Sequence, residues 1–411
     1  MLRTHTWLIC LLLATFAVGT DDFVIAGVLP EIADDLSVSE AAAGQLVTAF
    51  SVTYALAAPP LAVATARLPR KTLLVGGLAA FAAVNLLTAL APGYGALLVA
   101  RVAAALLAAV LTPAAFGLAG RLAEPERVGR AIGVVAAGLT VSLFVGVPLG
   151  SLLASSFGWR ATFVGVGAFS CAVTLASAAL LPNAPGAPAL GVRAQLRVLS
   201  RPSVLTCVLG TVVGASCGLM VFTYLGPVTE DLTGRGGPVL ALSIAVIGVF
   251  GAVGTFAGGR LTDRWGPDRA LLGMFGLVVS VTALLGVVGV LTDSDVPVWP
   301  VAAALAVWGF GAWGFNPPMN ARILGLAGDA GTEAVALNTS GLYTGIALGG
   351  ALGGAALTAY DGPGVTFTAA ALGVTSLLLM YLTTRRYPTP PAPGADGAAD
   401  GQTAPSADRV G

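Results

Sequence analysis

Apolar runs of about twenty residues recur twelve times along this chain, and each is long enough to cross the hydrocarbon core of a bilayer. They fall at about 7–29, 44–65, 72–91, 96–120, 131–154 and 160–182, then at about 204–226, 239–259, 270–291, 298–319, 333–357 and 365–384. The runs are continuous rather than alternating, which indicates helices and not a barrel. Only 10% of the 411 residues are charged, against about a quarter in soluble domains. Such a chain cannot clothe a water-facing surface, so lipid must cover much of it.

Basic residues test this map, because cytoplasmic loops carry the excess of arginine and lysine. With the N-terminus placed inside, the cytoplasmic segments hold Arg3; Arg67, Arg70 and Lys71; Arg121, Arg127 and Arg130; and Arg193, Arg197 and Arg201. They also hold Arg260, Arg264 and Arg269; Arg322; and Arg385, Arg386 and Arg409. That is 17 of the 20 basic residues. Arg160 and Arg235 face outward and Arg101 lies inside a span. One missed helix would scramble this alternation, so both termini are expected in the cytoplasm.

The chain divides into an N-terminal half (1–182), a basic Pro/Gly-containing linker (183–203), a C-terminal half (204–384) and a low-complexity tail (385–411) expected to be disordered. The loop after the second run reads LAVATARLPRKTLL, and the loop after the eighth reads GRLTDRWGPDRALL. The expected fold is therefore an all-α integral membrane protein, twelve transmembrane helices in two pseudo-symmetric six-helix bundles. Parallel halves with a substrate site between them are a plan of secondary transporters.

Several functions are excluded. The net charge is zero, so no basic field for nucleic acid exists. Cys10, Cys171, Cys207 and Cys217 lie in apolar runs without CxxC spacing, so neither a disulfide frame nor a metal site is expected. His5 is the only histidine, which removes a Ser-His-Asp triad, and no Walker loop supplies ATP chemistry. No soluble segment is large enough for an enzyme or sensor domain, and the first apolar run reads as a retained helix rather than a cleaved leader.

Gly259, Leu261, Asp263, Arg264 and Gly266 match G-x-L-x-D-R-x-G, the signature of the major facilitator superfamily, which this chain resembles over residues 7–384. In the first-half copy Ala62, Ala66 and Pro69 replace Gly, Asp and Gly, while Arg67, Arg70 and Lys71 keep the basic part. The resemblance implies that these two loops close the cytoplasmic side. Gly138, Gly146, Pro148 and Gly150, in GLTVSLFVGVPLGSLL, resemble the fifth-helix motif of the drug/proton antiporter group. Small residues there allow close helix approach and the proline bends the helix, which suits a hinge.

Charges inside spans are the sharper signal, since a charge at mid-bilayer costs about 3 kcal/mol on insertion scales. Asp21 and Asp22 lie about fourteen residues, roughly 20 Å, into the first helix. GTDDFVIAGVLPEIADDL resembles the first helix of bacterial chloramphenicol and sugar efflux transporters of this superfamily, with an acidic residue at Asp22. A carboxyl that gains and loses a proton in a half-dry cavity is what proton coupling requires. An earlier helix end before Pro30 would instead put both aspartates at the interface. Arg101 matches the arginine of the family's fourth-helix R-x-x-x-G motif, with Ala105 in place of the glycine. It either meets a carboxylate or snorkels to the interface.

Tyr54, Asn85, Tyr224, Trp313, Asn316 and Asn338 are the polar or amphipathic residues expected along a substrate cavity, each also suited to a contact between helices. The resemblance thus implies a bacterial cell-membrane exporter, not an enzyme, that exchanges a small amphipathic molecule for protons. It needs no cofactor beyond the proton gradient, and family members are commonly monomers. A sugar or metabolite exporter or symporter is the competing expectation.

Overall fold

The computed structural model describes residues 6–124, 127–186, 191–292 and 296–389, and these are helical almost throughout. The N-terminal half comprises α1 (Thr6–Asp35), α2 (Glu40–Thr65), α3 (Arg70–Thr88) and α4 (Tyr94–Leu122). Its α5 is built from Val128–Val141, a π-helical turn Ser142–Gly146 and Val147–Phe157, and α6 is Trp159–Leu180. In the C-terminal half α7 is Pro202–Thr223 continued by Leu225–Thr233, α8 is Pro238–Trp265 and α9 is Pro267–Leu291. There α10 is Val298–Gly314 continued by Asn316–Ala327, while α11 and α12 follow one another within Gly331–Arg386.

A helix of 56 residues would be about 84 Å long, nearly three bilayer cores. It turns back at Tyr360 and Asp361, whose backbone leaves the helical region. That break separates α11 (331–359) from α12 (362–386) and completes twelve spans. The Asp231 carboxylate accepts the Gly362 N–H at 2.5 Å, which satisfies a donor at the restart of the helix.

Three expected spans are longer or more broken than periodicity indicates, and proline is the physical cause in two. Pro227 and the pair Pro317–Pro318 remove N–H groups that would bond back into the preceding turn. The helices break at Tyr224 and Phe315 and then resume, to Thr233 and Ala327. In the third, α1 runs past Pro30 to Asp35, so Asp21 is the sixteenth of its 30 residues and lies mid-span rather than at an interface. In α5 the π turn precedes Pro148, whose ring would clash with the carbonyl four residues back in regular α geometry.

An even number of spans puts both ends of the described chain on one side, here the terminal face; the other is the far face. One buried apolar cluster stays in the N-terminal half and takes α1 only from Cys10 to Val18. A second takes α1 from Val24 to Ala33 and runs on into α7, α8, α9, α10 and α11. The two halves are therefore packed together from mid-membrane to the far face. Gln45 Nε2 bonds Gly350 O at 3.3 Å and Thr48 Oγ1 bonds Ala347 O at 3.4 Å, joining α2 to α11. Gly248 of α8 lies against the Leu143–Phe144 backbone of α5.

The halves repeat a device at the terminal face. Arg121, at the end of α4, bonds Pro185 O at 2.5 Å, and Arg70 N bonds Ala184 O at 2.9 Å, so the chain leaving α6 is strapped down. At the equivalent place in α10, Arg322 bonds Thr383 O at 3.0 Å, Tyr387 O at 2.8 Å and the Asp268 carboxylate. Asp268 also accepts from Thr389 N at 3.0 Å and Thr389 Oγ1 at 2.6 Å. This corrects two expectations. Arg322 is a buried clamp, not a loop arginine. The tail expected to be disordered over 385–411 begins as helix to Arg386 and a held segment to Thr389. Residues 390–411, with Arg409, lie outside the described residues, as does Arg3.

Large apolar side chains such as Leu56, Val99, Leu175 and Phe256 are strongly exposed on the outside of the bundle. Such a girdle is stable only in lipid, and the chain is a multi-span membrane protein.

Candidate functional site

Consecutive helical residues point about 100° apart, and α1 uses this to separate its two aspartates. Asp21 turns into its own half. Its carboxylate meets Arg101 Nη1 at 2.9 Å, and its backbone oxygen meets Nη2 at 3.1 Å. Both side chains are buried, at 0% and 1% exposure, so Arg101 does not snorkel. The guanidinium also lies 4.5 Å from the Phe50 ring centroid, a cation–π contact. Asn85 of α3 is buried, its Nδ2 donating to Phe81 O at 3.1 Å. One charge neutralises the other here, which makes burial of both tolerable.

Asp22 turns to the junction of the halves. Its Oδ2 accepts the Tyr343 hydroxyl of α11 at 2.7 Å. The Tyr343 ring stacks on Tyr54 of α2, with centroids 3.7 Å apart and planes at 21°. Asp22 also borders a small pocket shared by both halves, with Phe23 and Val47 on one side and Leu219, Phe222 and Ile346 on the other.

That pocket continues into an apolar cavity of about 50 Å³ lined by Phe23, Leu219, Phe275, Trp313, Phe315 and Asn316. Its aromatic rings meet edge to face. Phe23–Phe222 centroids are 6.1 Å apart, Phe222–Trp313 5.8 Å and Trp308–Trp313 6.1 Å. Trp308 stands behind this lining, wholly buried, with its indole N–H satisfied by Thr282 Oγ1 at 3.1 Å. A drug-sized ligand needs several hundred cubic ångströms, so occupancy requires the lining helices to part.

The expected cavity residues separate accordingly. Trp313 and Asn316 line the cavity. Tyr54 instead supports Tyr343, and Asn85 is buried outside the cavity lining with its amide on Phe81 O. Tyr224 is wholly buried toward the far face, bonds Gly350 O at 2.7 Å and packs on Gly44 of α2, so it is a contact that closes the halves. Asn338 is buried with its side-chain oxygen unpaired, on the face of α11 that presses Gly341 and Gly345 against α7. Phe23, Phe222, Phe275 and Tyr343 complete the site; Phe23 adjoins Asp22 and Phe222 lies two positions before Tyr224, while Phe275 and Tyr343 have no such neighbour.

Gly138, Gly146 and Gly150 all face α1. A side chain at Gly138 would meet Leu12 O and Thr15, at Gly146 Thr20, and at Gly150 Val24 and Thr162. Thr15 Oγ1 bonds Val135 O at 2.7 Å across the same crossing. These glycines and Pro148 therefore set how α5 bends and lies on the helix that carries Asp21 and Asp22.

The expected gate is not assembled in this conformation. Arg67, Asp263 and Arg264 are exposed, and Arg70 and Lys71 half-buried. No ion pair among the described residues joins them. Ala66 leaves the first loop without a carboxylate, and the ion pair of the second loop is made by Asp268, a turn further on. Gly259 is half-buried at the end of α8, and Gly266 turns into α9 at φ 79°, a conformation that a side chain resists. Pro69 at the equivalent point has φ −56°, so the two loops turn differently.

Two six-helix halves with a shared central cavity, and buried charges at its edge, define a membrane carrier. The family model described as Major Facilitator Superfamily matches residues 11–332, and the chain belongs to that superfamily. It is 36% identical over 354 residues to the chloramphenicol resistance protein of Streptomyces lividans, covering 82% of this chain and 86% of that one. It is 29% identical to the probable sugar efflux transporter of Mannheimia succiniciproducens, covering 91% and 94%. Among solved structures, a bacterial homologue of the human lysosomal transporter Spinster shares the fold with TM-score 0.75 at 18% identity, covering 93% and 97%. The chain is thus a membrane transporter rather than an enzyme, and it binds small-molecule substrates within the bilayer.

Proposed function

We propose that this protein exports small amphipathic molecules in exchange for protons, with Asp22 as the proton carrier. The observation that carries the reading is the place of the Asp22 carboxyl. It sits on the boundary between the halves, at the edge of the aromatic pocket, and its neighbour Asp21 is already neutralised by Arg101. The cycle loads a proton on Asp22 from outside, turns the halves, releases the proton inside and takes substrate into the pocket. Alternation of a single site between two faces couples the two fluxes. Arg67, Arg70, Lys71, Gly259, Asp263, Arg264 and Gly266 close the terminal face when the far face opens, and α5 flexes at Gly138, Gly146, Pro148 and Gly150.

The terminal face is cytoplasmic on this reading, because it carries most of the arginines. The carrier is a monomer in the bacterial plasma membrane and draws its energy from the proton gradient without a cofactor. The substrate is a flat, amphipathic molecule with little charge. The cavity offers ring faces and few hydrogen-bonding groups, chiefly Asn316 and the carboxyl of Asp22. The relative named as a chloramphenicol resistance protein agrees with such a substrate. A sugar, as the second relative's name suggests, would need several polar partners where this cavity presents aromatic rings.

Purified protein in proteoliposomes tests the reading, with chloramphenicol and flat aromatic amphipaths compared with hexoses and pentoses. An imposed pH gradient should drive aromatic substrates against their own gradient, and a protonophore should abolish the accumulation. Accumulation of a sugar alone, or transport indifferent to collapse of the proton gradient, contradicts it.

A further inference from the structure

We infer that Tyr343 is the residue through which the protonation of Asp22 reaches the junction of the two halves; the inference rests on the reading of Asp22 as proton carrier. The titratable and charged groups facing Asp22 are Asp21 on its own helix, Arg101 on α4, Tyr54 on α2 and Tyr343 on α11. The first three belong to the same half as Asp22 and travel with it as one packed body. Their influence on the carboxyl therefore stays the same whichever way the halves tilt. Tyr343 alone comes from the opposite half.

The geometry fixes its hydroxyl on the carboxyl. The Tyr343 ring lies flat on Tyr54, which restricts its rotation, and the hydroxyl donates to Asp22 Oδ2 at 2.7 Å. Other bonds between α2 and α11 use Gln45, Thr48 and backbone carbonyls, groups that do not titrate. Of these hydrogen bonds between the halves, the Tyr343–Asp22 bond is the one whose strength depends on a proton; the acidic side chains Glu40, Glu230 and Asp231 also meet across the junction, at the far face.

A phenol bonded to a carboxylate makes a charge-assisted hydrogen bond, roughly twice as strong as a neutral one, and low local polarity strengthens it. A proton on Asp22 converts that bond to a neutral one, so ionised Asp22 holds the halves together here more firmly than protonated Asp22. Reciprocity follows from linkage. The proton leaves the Asp22 carboxyl for water while Tyr343 is in contact, and it is retained when Tyr343 withdraws with its half. Tyr343 keeps its own proton throughout.

The test uses full-length protein in nanodiscs, with spin labels at the far-face positions Ser156→Cys and Arg235→Cys and with the exposed Cys171 changed to Ala. The distance between labels is followed against pH. The unmodified junction should open on acidification with a defined midpoint. Tyr343→Phe, which keeps the ring and its stack, should lose that pH dependence. Tyr343→Phe with the original midpoint and amplitude overturns the inference. Asp22→Asn with the original pH dependence overturns instead the reading of Asp22 as proton carrier, so the two failures are distinguishable. Fluorotyrosine at position 343 serves as a second variant should Tyr343→Phe not fold. It keeps ring and hydroxyl but donates more strongly, so the midpoint should fall by about half a pH unit or more; an unmoved midpoint overturns the inference.

Discussion

Asp21 and Asp22 are adjacent, yet their surroundings divide them into a charge held by a cation and a carboxyl at the junction of the halves. Removing one member of a buried ion pair strands the other, at a cost of about 3–5 kcal/mol. Asp21→Asn should therefore lower the melting temperature in detergent markedly. Asp22→Asn keeps an oxygen that accepts the Tyr343 hydroxyl and should melt within a few degrees of the parent. Equal melting of the two variants would contradict this division. The acids were legible in the sequence because a charge in mid-span is too costly to be incidental. Asn85 and Tyr224 were not legible in their actual places. An amide or phenol in an apolar run serves a cavity or a helix contact equally well, and only the fold decides. Tyr343 was missed because its partner stands 321 positions away, and no charged residue lies near it in its own helix.

At the scale of elements, α5 is set by its close crossing with α1. Its glycines were read as a hinge, and each faces α1 at a distance that excludes a side chain. Gly138→Val should push α1 and α5 apart at Leu12 and Thr15. The expected result is a loss of folded protein by size-exclusion chromatography, with Gly133→Val, where a side chain meets open space, as the neutral control. Indistinguishable yields would show that the crossing is looser than described. Hydropathy located all twelve spans but not their interruptions at Tyr224 and Phe315. A hydropathy window averages over a proline, whereas the backbone cannot, because each missing N–H ends a turn.

At the scale of the whole molecule, the two halves share one architecture and divide the chemistry. The N-terminal half holds the mid-membrane charges Asp21, Asp22 and Arg101, and the C-terminal half supplies most of the aromatic lining. Their apolar cores fuse on the far side and separate toward the terminal face. The proposed function accordingly has substrate and proton meet at the junction, between Phe23, Trp313 and Asp22. The repeat was legible in the two basic loops, but the strapping role of Arg121 and Arg322 was not, since it depends on where the chain goes after α6 and α12. The most direct test of proton exchange at Asp22 is substrate-induced proton release from the purified protein in weakly buffered detergent, screened with chloramphenicol and flat aromatic amphipaths. The account predicts release on substrate addition, and its loss in Asp22→Asn protein that still binds substrate. Binding without release in the parent protein, or release undiminished in Asp22→Asn, would contradict it.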